Sequence, residues 1–162
     1  MIISNLNEMR DFANEFAVLL KDNDVINLIG DMGAGKTTLT NFIAEYFGIS
    51  DSSSPTFAIV NIYEGDKTIY HLDLYRLDDP DELLELDYET YFYPENAITF
   101  LEWAENGAGF LPNDMINVEI SKIDANTREI NILADTKRGQ EINEYFSNWH
   151  LNYDFYCDYC KW

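Results

Sequence analysis

Basic residues are scarce in this 162-residue chain: 10 lysines and arginines stand against 30 aspartates and glutamates, for a formal net charge of -20. A surface of that sign repels a nucleic-acid phosphate backbone and anionic lipid alike, which argues against direct, unaided RNA or DNA binding and against membrane association. Long apolar runs are missing too. Stretches such as Ala17-Val18-Leu19-Leu20 fall far short of the roughly 20 residues a membrane span needs. The opening Met1-Ile2-Ile3-Ser4-Asn5 has no basic segment leading into an apolar stretch, so the expectation is a soluble, cytoplasmic protein whose few cysteines stay reduced. No internal repeat or low-complexity tract is visible. What is present is core former: 46% hydrophobic and 15% aromatic residues exclude disorder as a description of the whole chain and suit one domain.

Leu6, Met9, Phe12, Ala13, Phe16, Ala17 and Leu20 recur at spacings of three and four, the stripe of an amphipathic helix, with Asn5 as cap and Glu8 completing a capping box. Residues 25–29 then form a short apolar strand. A glycine-rich turn at residues 30–35 leads into a second helical pattern through Leu39, Phe42, Ile43 and Phe47, closed by Gly48. Residues 57–63 and 68–74, separated by the turn Glu64-Gly65-Asp66, predict an antiparallel hairpin. Pro80 starts a short helix, and residues 88–93 carry no decisive pattern. Residues 97–101 are nearly all apolar, as in a buried parallel strand, and end at Glu102. Two alternating strands follow at residues 116–120 and 129–134, then a last helix through Ile142, Tyr145, Phe146 and Trp149.

Gly30-Asp31-Met32-Gly33-Ala34-Gly35-Lys36-Thr37 fits G-x-x-x-x-G-K-[ST] completely and lies between a predicted strand and a predicted helix, the context that makes the motif a P-loop. Small residues let the chain curl so that successive backbone N–H groups face a phosphate, and the helix N-terminus adds its dipole. Asp31, Gly33, Ala34, Gly35, Lys36, Thr37 and Thr38 are therefore the expected nucleotide contacts. Lys36 reaches the β- and γ-phosphates, and Thr37 offers a hard oxygen to Mg²⁺. A further acid belongs at the carboxyl end of a neighbouring strand, where ligands of open α/β sheets collect. Glu102 and Asp73 both qualify, to hold the metal or to orient the attacking water. The fold expected is a three-layer α/β P-loop domain, a mixed sheet with an antiparallel hairpin, flanked by helices.

These residues together resemble the TsaE (YjeE) family of ATPases in tRNA threonylcarbamoyladenosine synthesis. Residues 30–39 resemble the family's G-D-L-G-A-G-K-T-T-L, and Ser54-Pro55-Thr56-Phe57 its S-P-T-F/Y. Tyr70-His71-Leu72-Asp73-Leu74-Tyr75-Arg76-Leu77 resembles its Y-H-x-D-L-Y-R-L, and Glu102-Trp103 its E-W pair. The resemblance covers about residues 4–135. It implies slow hydrolysis of MgATP and action on a complex of TsaB and TsaD, with tRNA reached only through that complex. Residue by residue, it implies that Lys36 contacts phosphate, that Thr37, Glu102 and Asp73 serve the metal or the water, and that Ser54 and Thr56 lie on a switch-like loop near the γ-phosphate. Trp103 would pack beside the nucleotide and Arg128 would lie near it. Met9 departs from the family, which often has threonine there, near the base. Residues 1–150 are read as a single P-loop ATPase domain and residues 151–162 as an acidic, aromatic tail.

Other signals are weaker. Cys157-x-x-Cys160 with His150 is one ligand short of a structural zinc site. His71 shares a strand face with Asp73 and reads either as a nucleotide contact or as a residue that positions the loop. The acidic run at Asp78, Asp79, Asp81, Glu82 and Glu85 reads as a solvated face or as a contact for a basic partner. A small-molecule P-loop kinase is a competing function, weakened by the presence of only four arginines, Arg10, Arg76, Arg128 and Arg138, since phosphoryl transfer is mostly charge neutralisation and positioning. A nucleotide-dependent binding module without essential hydrolysis is the other.

Overall fold

The computed structural model describes residues 1–50 and 59–157, with side chains as far as residue 149. In chain order the elements are β1 (Ile2–Ile3), α1 (Leu6–Leu19), β2 (Val25–Ile29), α2 (Lys36–Tyr46), β3 (Val60–Glu64), β4 (Thr68–Asp73), β5 (Ala97–Glu102), β6 (Ile116–Lys122) and β7 (Arg128–Ile132), with α3 (Tyr88–Phe92) before β5 and α4 (Lys137–Cys157) last. Three 3-10 turns, Leu74–Arg76, Pro80–Glu85 and Ala104–Gly107, flank β4 and β5. The cap read at the start of α1 is present: Asn5 accepts from the Asn7 and Glu8 N–H groups, and the Glu8 carboxylate accepts from the Ser4 N–H.

The strands form one seven-stranded sheet in the order β1-β7-β6-β2-β5-β4-β3. β2 is parallel to both neighbours, β5 and β6, and β4 is parallel to β5. The hairpin expected on either side of Gly65 is the antiparallel pair β3–β4 at one edge. The chain leaves β2 and returns as β5 on one side and β6 on the other. That reversal leaves a crevice at the carboxyl end of β2, where such sheets take their ligands.

Strand alternation sorts the two faces. Ile26, Leu28, Ile69, Ile98, Phe100 and Val118 pack with Phe12, Phe16, Leu39, Ile43 and Phe146 beneath α1, α2 and α4. Val25, Leu72 and Leu101 meet Leu74, Leu83 and Phe92 on the opposite face, beneath the 3-10 turns and α3. The result is the expected three layers. The same two-residue period carries His71 and Asp73, after Ile69, and Glu102, after Phe100, to the α2 face.

Tyr88 packs edge-on against Phe92 and Phe110, and Tyr91 against Tyr70, so this aromatic set is structural. The last helix begins earlier than its apolar stripe implies, because Thr136 caps it: its hydroxyl accepts from the Gly139 N–H and its carbonyl from the Gln140 N–H. It continues to Cys157. β6 runs past Ile120, extended by the pairings Ser121 with Glu129 and Lys122 with Arg128. Cys160 and the end of the expected tail lie outside the described residues. No described helix is long and apolar enough to cross a membrane.

Candidate nucleotide site

The loop between β2 and α2 turns on glycines that other residues could not replace. A Cβ on Gly30 would stand 2.3 Å from the Ile120 carbonyl oxygen. Gly35, at φ 115°, occupies the left-handed region and forms the N-cap of α2, a conformation that costs an L side chain about 1 kcal/mol or more. No side-chain hydrogen bond caps α2, which leaves its first amides to face an anion. Lys36 is buried, and its ammonium donates to the carbonyls of Gly30 at 2.7 Å and Asp31 at 3.2 Å. The lysine is thus drawn back across its own loop, pointing into the crevice.

Glu102 meets this loop from the end of β5. Its Oε1 accepts from Thr37 Oγ1 at 3.1 Å and from His71 Nε2 at 2.9 Å, and its Oε2 lies 3.8 Å from the Lys36 ammonium. The side chain is almost fully buried, so its charge needs these partners. Asp73 pairs in register with Glu102 across β4 and β5, and its Oδ1 accepts from the Tyr75 N–H. Trp103 holds φ 58°, a rare conformation for a bulky residue and a local strain. The turn lays its ring 4.7 Å from the Lys36 ammonium and 5.1 Å from the ring of Tyr75. Burial, opposed by the Asn61 hydrogen bond and aided by the negative Glu102, pushes the Tyr63 hydroxyl above its ordinary value.

A cleft of about 520 Å³ opens over these groups, lined by Lys36, Thr37, Asp73, Arg76, Glu102 and Arg128 among others. A second of about 540 Å³ adjoins it through Gly35, Thr38 and Arg128, with Ile3, Leu6 and Met9 as apolar walls and Asn5, Asn7 and Asn126 as polar ones. Arg128 stands at their junction. Its Nε donates to the Ala34 carbonyl at 2.6 Å, and its Nη1 to the carbonyls of Asp124 and Thr127.

The structure therefore brings together Gly33, Gly35, Lys36, Thr37, Thr38, Asp73, Glu102, Trp103 and Arg128. Asp31 and Ala34 contribute through their carbonyls rather than by lining the cleft, and the Asp31 side chain is exposed. Ser54 and Thr56 lie outside the described residues. Sequence reasoning read His71 as a nucleotide contact or a loop-positioning residue and did not anticipate its bond to Glu102; it named Tyr75 and Arg76 only within their motif and, apart from Met9, missed the use that the adjoining cleft makes of residues 3–7. Thr37 and Glu102 are the oxygen donors suited to a hard cation, whose remaining positions waters and phosphates ordinarily fill. Among the described residues no group of three or more His, Cys, Asp or Glu could hold a metal unaided.

The model of the threonylcarbamoyl adenosine biosynthesis protein TsaE family matches residues 3–130. The tRNA threonylcarbamoyladenosine biosynthesis protein TsaE of Haemophilus influenzae is 41% identical over 147 residues, 86% of this chain and 92% of that protein. Its namesake in Bacillus subtilis is 37% identical over 145 residues, 88% of this chain and 90% of that one. The crystal structure of Bacillus subtilis YdiB superposes with a TM-score of 0.76 at 30% identity, covering 93% of this chain and 94% of that structure.

Proposed function

Because this chain belongs to the TsaE family of threonylcarbamoyl adenosine biosynthesis proteins, we propose that it binds and hydrolyses MgATP as the accessory ATPase of that tRNA modification, acting in the cytoplasm on a complex of TsaB and TsaD. The observation that carries this reading is the meeting of Lys36, Thr37 and Glu102 within one cleft at the carboxyl end of β2. The loop amides and the α2 N-terminus hold the β- and γ-phosphates, and Lys36 leaves its loop carbonyls for them. Thr37 and Glu102 hold Mg²⁺, which when bound neutralises charge that develops on the phosphates. Asp73, opposite Glu102 in register, orients water at the γ-phosphate or joins the metal's outer partners. Trp103 restricts where Lys36 can go, and Ser54 and Thr56 belong to a loop that answers to the γ-phosphate. The adjoining cleft, with Met9 on its wall, takes the base.

The charge of -20 fits this division of labour. It suits docking to a basic protein surface and not direct contact with tRNA, DNA or membrane. Isothermal titration with MgATP tests the reading. Wild type binds, and Lys36→Ala weakens binding by at least about tenfold, the loss of roughly one charge-assisted phosphate contact. Absence of MgATP binding by the wild type would overturn it, and transfer of labelled phosphate to a small acceptor would replace it with a kinase.

A further inference from the structure

We infer that His71 is a positioning residue for the metal-binding carboxylate, an inference that rests on the nucleotide reading above. Glutamate stands at the end of β5 where a P-loop protein commonly has aspartate, and its extra methylene adds a rotatable bond that a metal ligand has to lose. The structure shows where that freedom goes. Glu102 Oε1 takes two donors, His71 Nε2 at 2.9 Å and Thr37 Oγ1 at 3.1 Å. Oε2 is left toward Lys36 and the cleft. His71 is itself fully buried, one strand away on β4, beside the ring of Tyr63. Its Nδ1 has no hydrogen-bond partner among the described residues.

That orphan is informative. A buried polar nitrogen without a partner is costly, and the one side-chain hydrogen bond that the His71 ring makes among the described residues is the one to Glu102. A carboxylate oxygen accepts, so His71 Nε2 is the donor of this bond. The position is therefore occupied by histidine for the sake of one hydrogen bond, the one to Glu102. Outer partners of metal ligands act in this way, fixing the ligand's orientation, and their loss typically costs 10- to 100-fold in metal affinity.

The test uses the full chain saturated with ADP and titrated with Mn²⁺ as a paramagnetic stand-in for Mg²⁺, with ADP affinity in EDTA measured beside it. His71→Leu weakens Mn²⁺ binding by about 10- to 100-fold, while ADP affinity without metal changes less than about twofold. Glutamine places an amide N–H near the Nε2 position, so His71→Gln retains Mn²⁺ affinity within about threefold. Asparagine reaches only the Nδ1 position, so His71→Asn falls with leucine. The Gln and Asn pair carries the test even if the leucine variant does not fold. Equal Mn²⁺ affinity in wild type, Gln and Asn variants, or equal loss in Gln and Asn, overturns the positioning role alone. Failure of the wild type to bind Mn²⁺ with ADP overturns the nucleotide reading, and this inference with it.

Discussion

Arg128, the first residue of β7, reaches back across 94 residues of chain to donate from Nε to the Ala34 carbonyl of the glycine-rich loop at 2.6 Å. The same guanidinium holds the carbonyls of Asp124 and Thr127, so one side chain ties the glycine-rich loop to the loop that walls the adjoining cleft. A fork of fixed N–H groups does this where an ammonium could not. Arg128→Ala should weaken MgATP binding by about tenfold, near the 1.5 kcal/mol lower bound for a hydrogen bond to a charged group. Arg128→Lys should recover little of it. Calorimetric titration of both variants checks this, and wild-type affinity in either would show that the brace is dispensable.

Gly65 lies in the β3–β4 turn away from the cleft, and a Cβ there would sit 2.2 Å from the Phe47 carbonyl oxygen. That oxygen already accepts from the Asp66 N–H at 2.8 Å, so the turn cannot back away without losing the bond. Gly65→Ala should destabilise the protein by about 2 kcal/mol, lowering the melting temperature by roughly 4–8 °C for a chain of this size. Nucleotide affinity of the folded variant should be unchanged.

Arg138, near the start of α4, forms a largely buried pair with Asp24 at 2.9 Å and also donates to the Leu19 carbonyl. The Asp24 hydrogen bond, outweighing burial, raises the guanidinium above its ordinary value. Removing it leaves Asp24 charged and poorly solvated, so Arg138→Ala should cost about 3–5 kcal/mol by denaturant unfolding. A change below about 0.5 kcal/mol would mean that Asp24 finds another partner.

Asp124 is held below its ordinary carboxyl value of 3.8, first by the Asn126 and Thr127 backbone N–H groups that it accepts from and last by Arg128. A carboxylate so lowered stabilises its loop above the unfolded value, and that contribution disappears as pH falls through the folded one. Protection of the Asn126 and Thr127 amides, taken as exchange relative to the intrinsic rate at each pH, should therefore be greatest near neutrality and fall below about pH 4. Asp124→Asn should remove this pH dependence of protection at the two amides.

The glycine-rich turn between β2 and α2, the hairpin and the acid at the end of β5 were legible because each rests on local chemistry: glycine spacing, a turn between alternating runs, and an apolar strand with a single terminal carboxylate. Long-range pairing decided the remainder. Nothing near His71 in sequence names Glu102 as its partner; only the parallel register of β4 with β5 brings them together. The adjoining cleft joins residues 3–9 to Ala125 and Asn126, segments that meet because β1 closes the sheet against β7. The early start of α4 was hidden for a different reason, since Thr136 caps a first turn that carries no apolar stripe.

Magnesium-dependent ATP turnover, measured with and without purified TsaB and TsaD for the wild type and for Glu102→Ala, tests the proposal that Lys36, Thr37 and Glu102 form a hydrolytic MgATP site working with partner proteins. Slow turnover alone, stimulation by the partners, and loss of both in Glu102→Ala are expected. Turnover in Glu102→Ala equal to that of the wild type, or no turnover and no nucleotide-dependent association in the wild type, would contradict it.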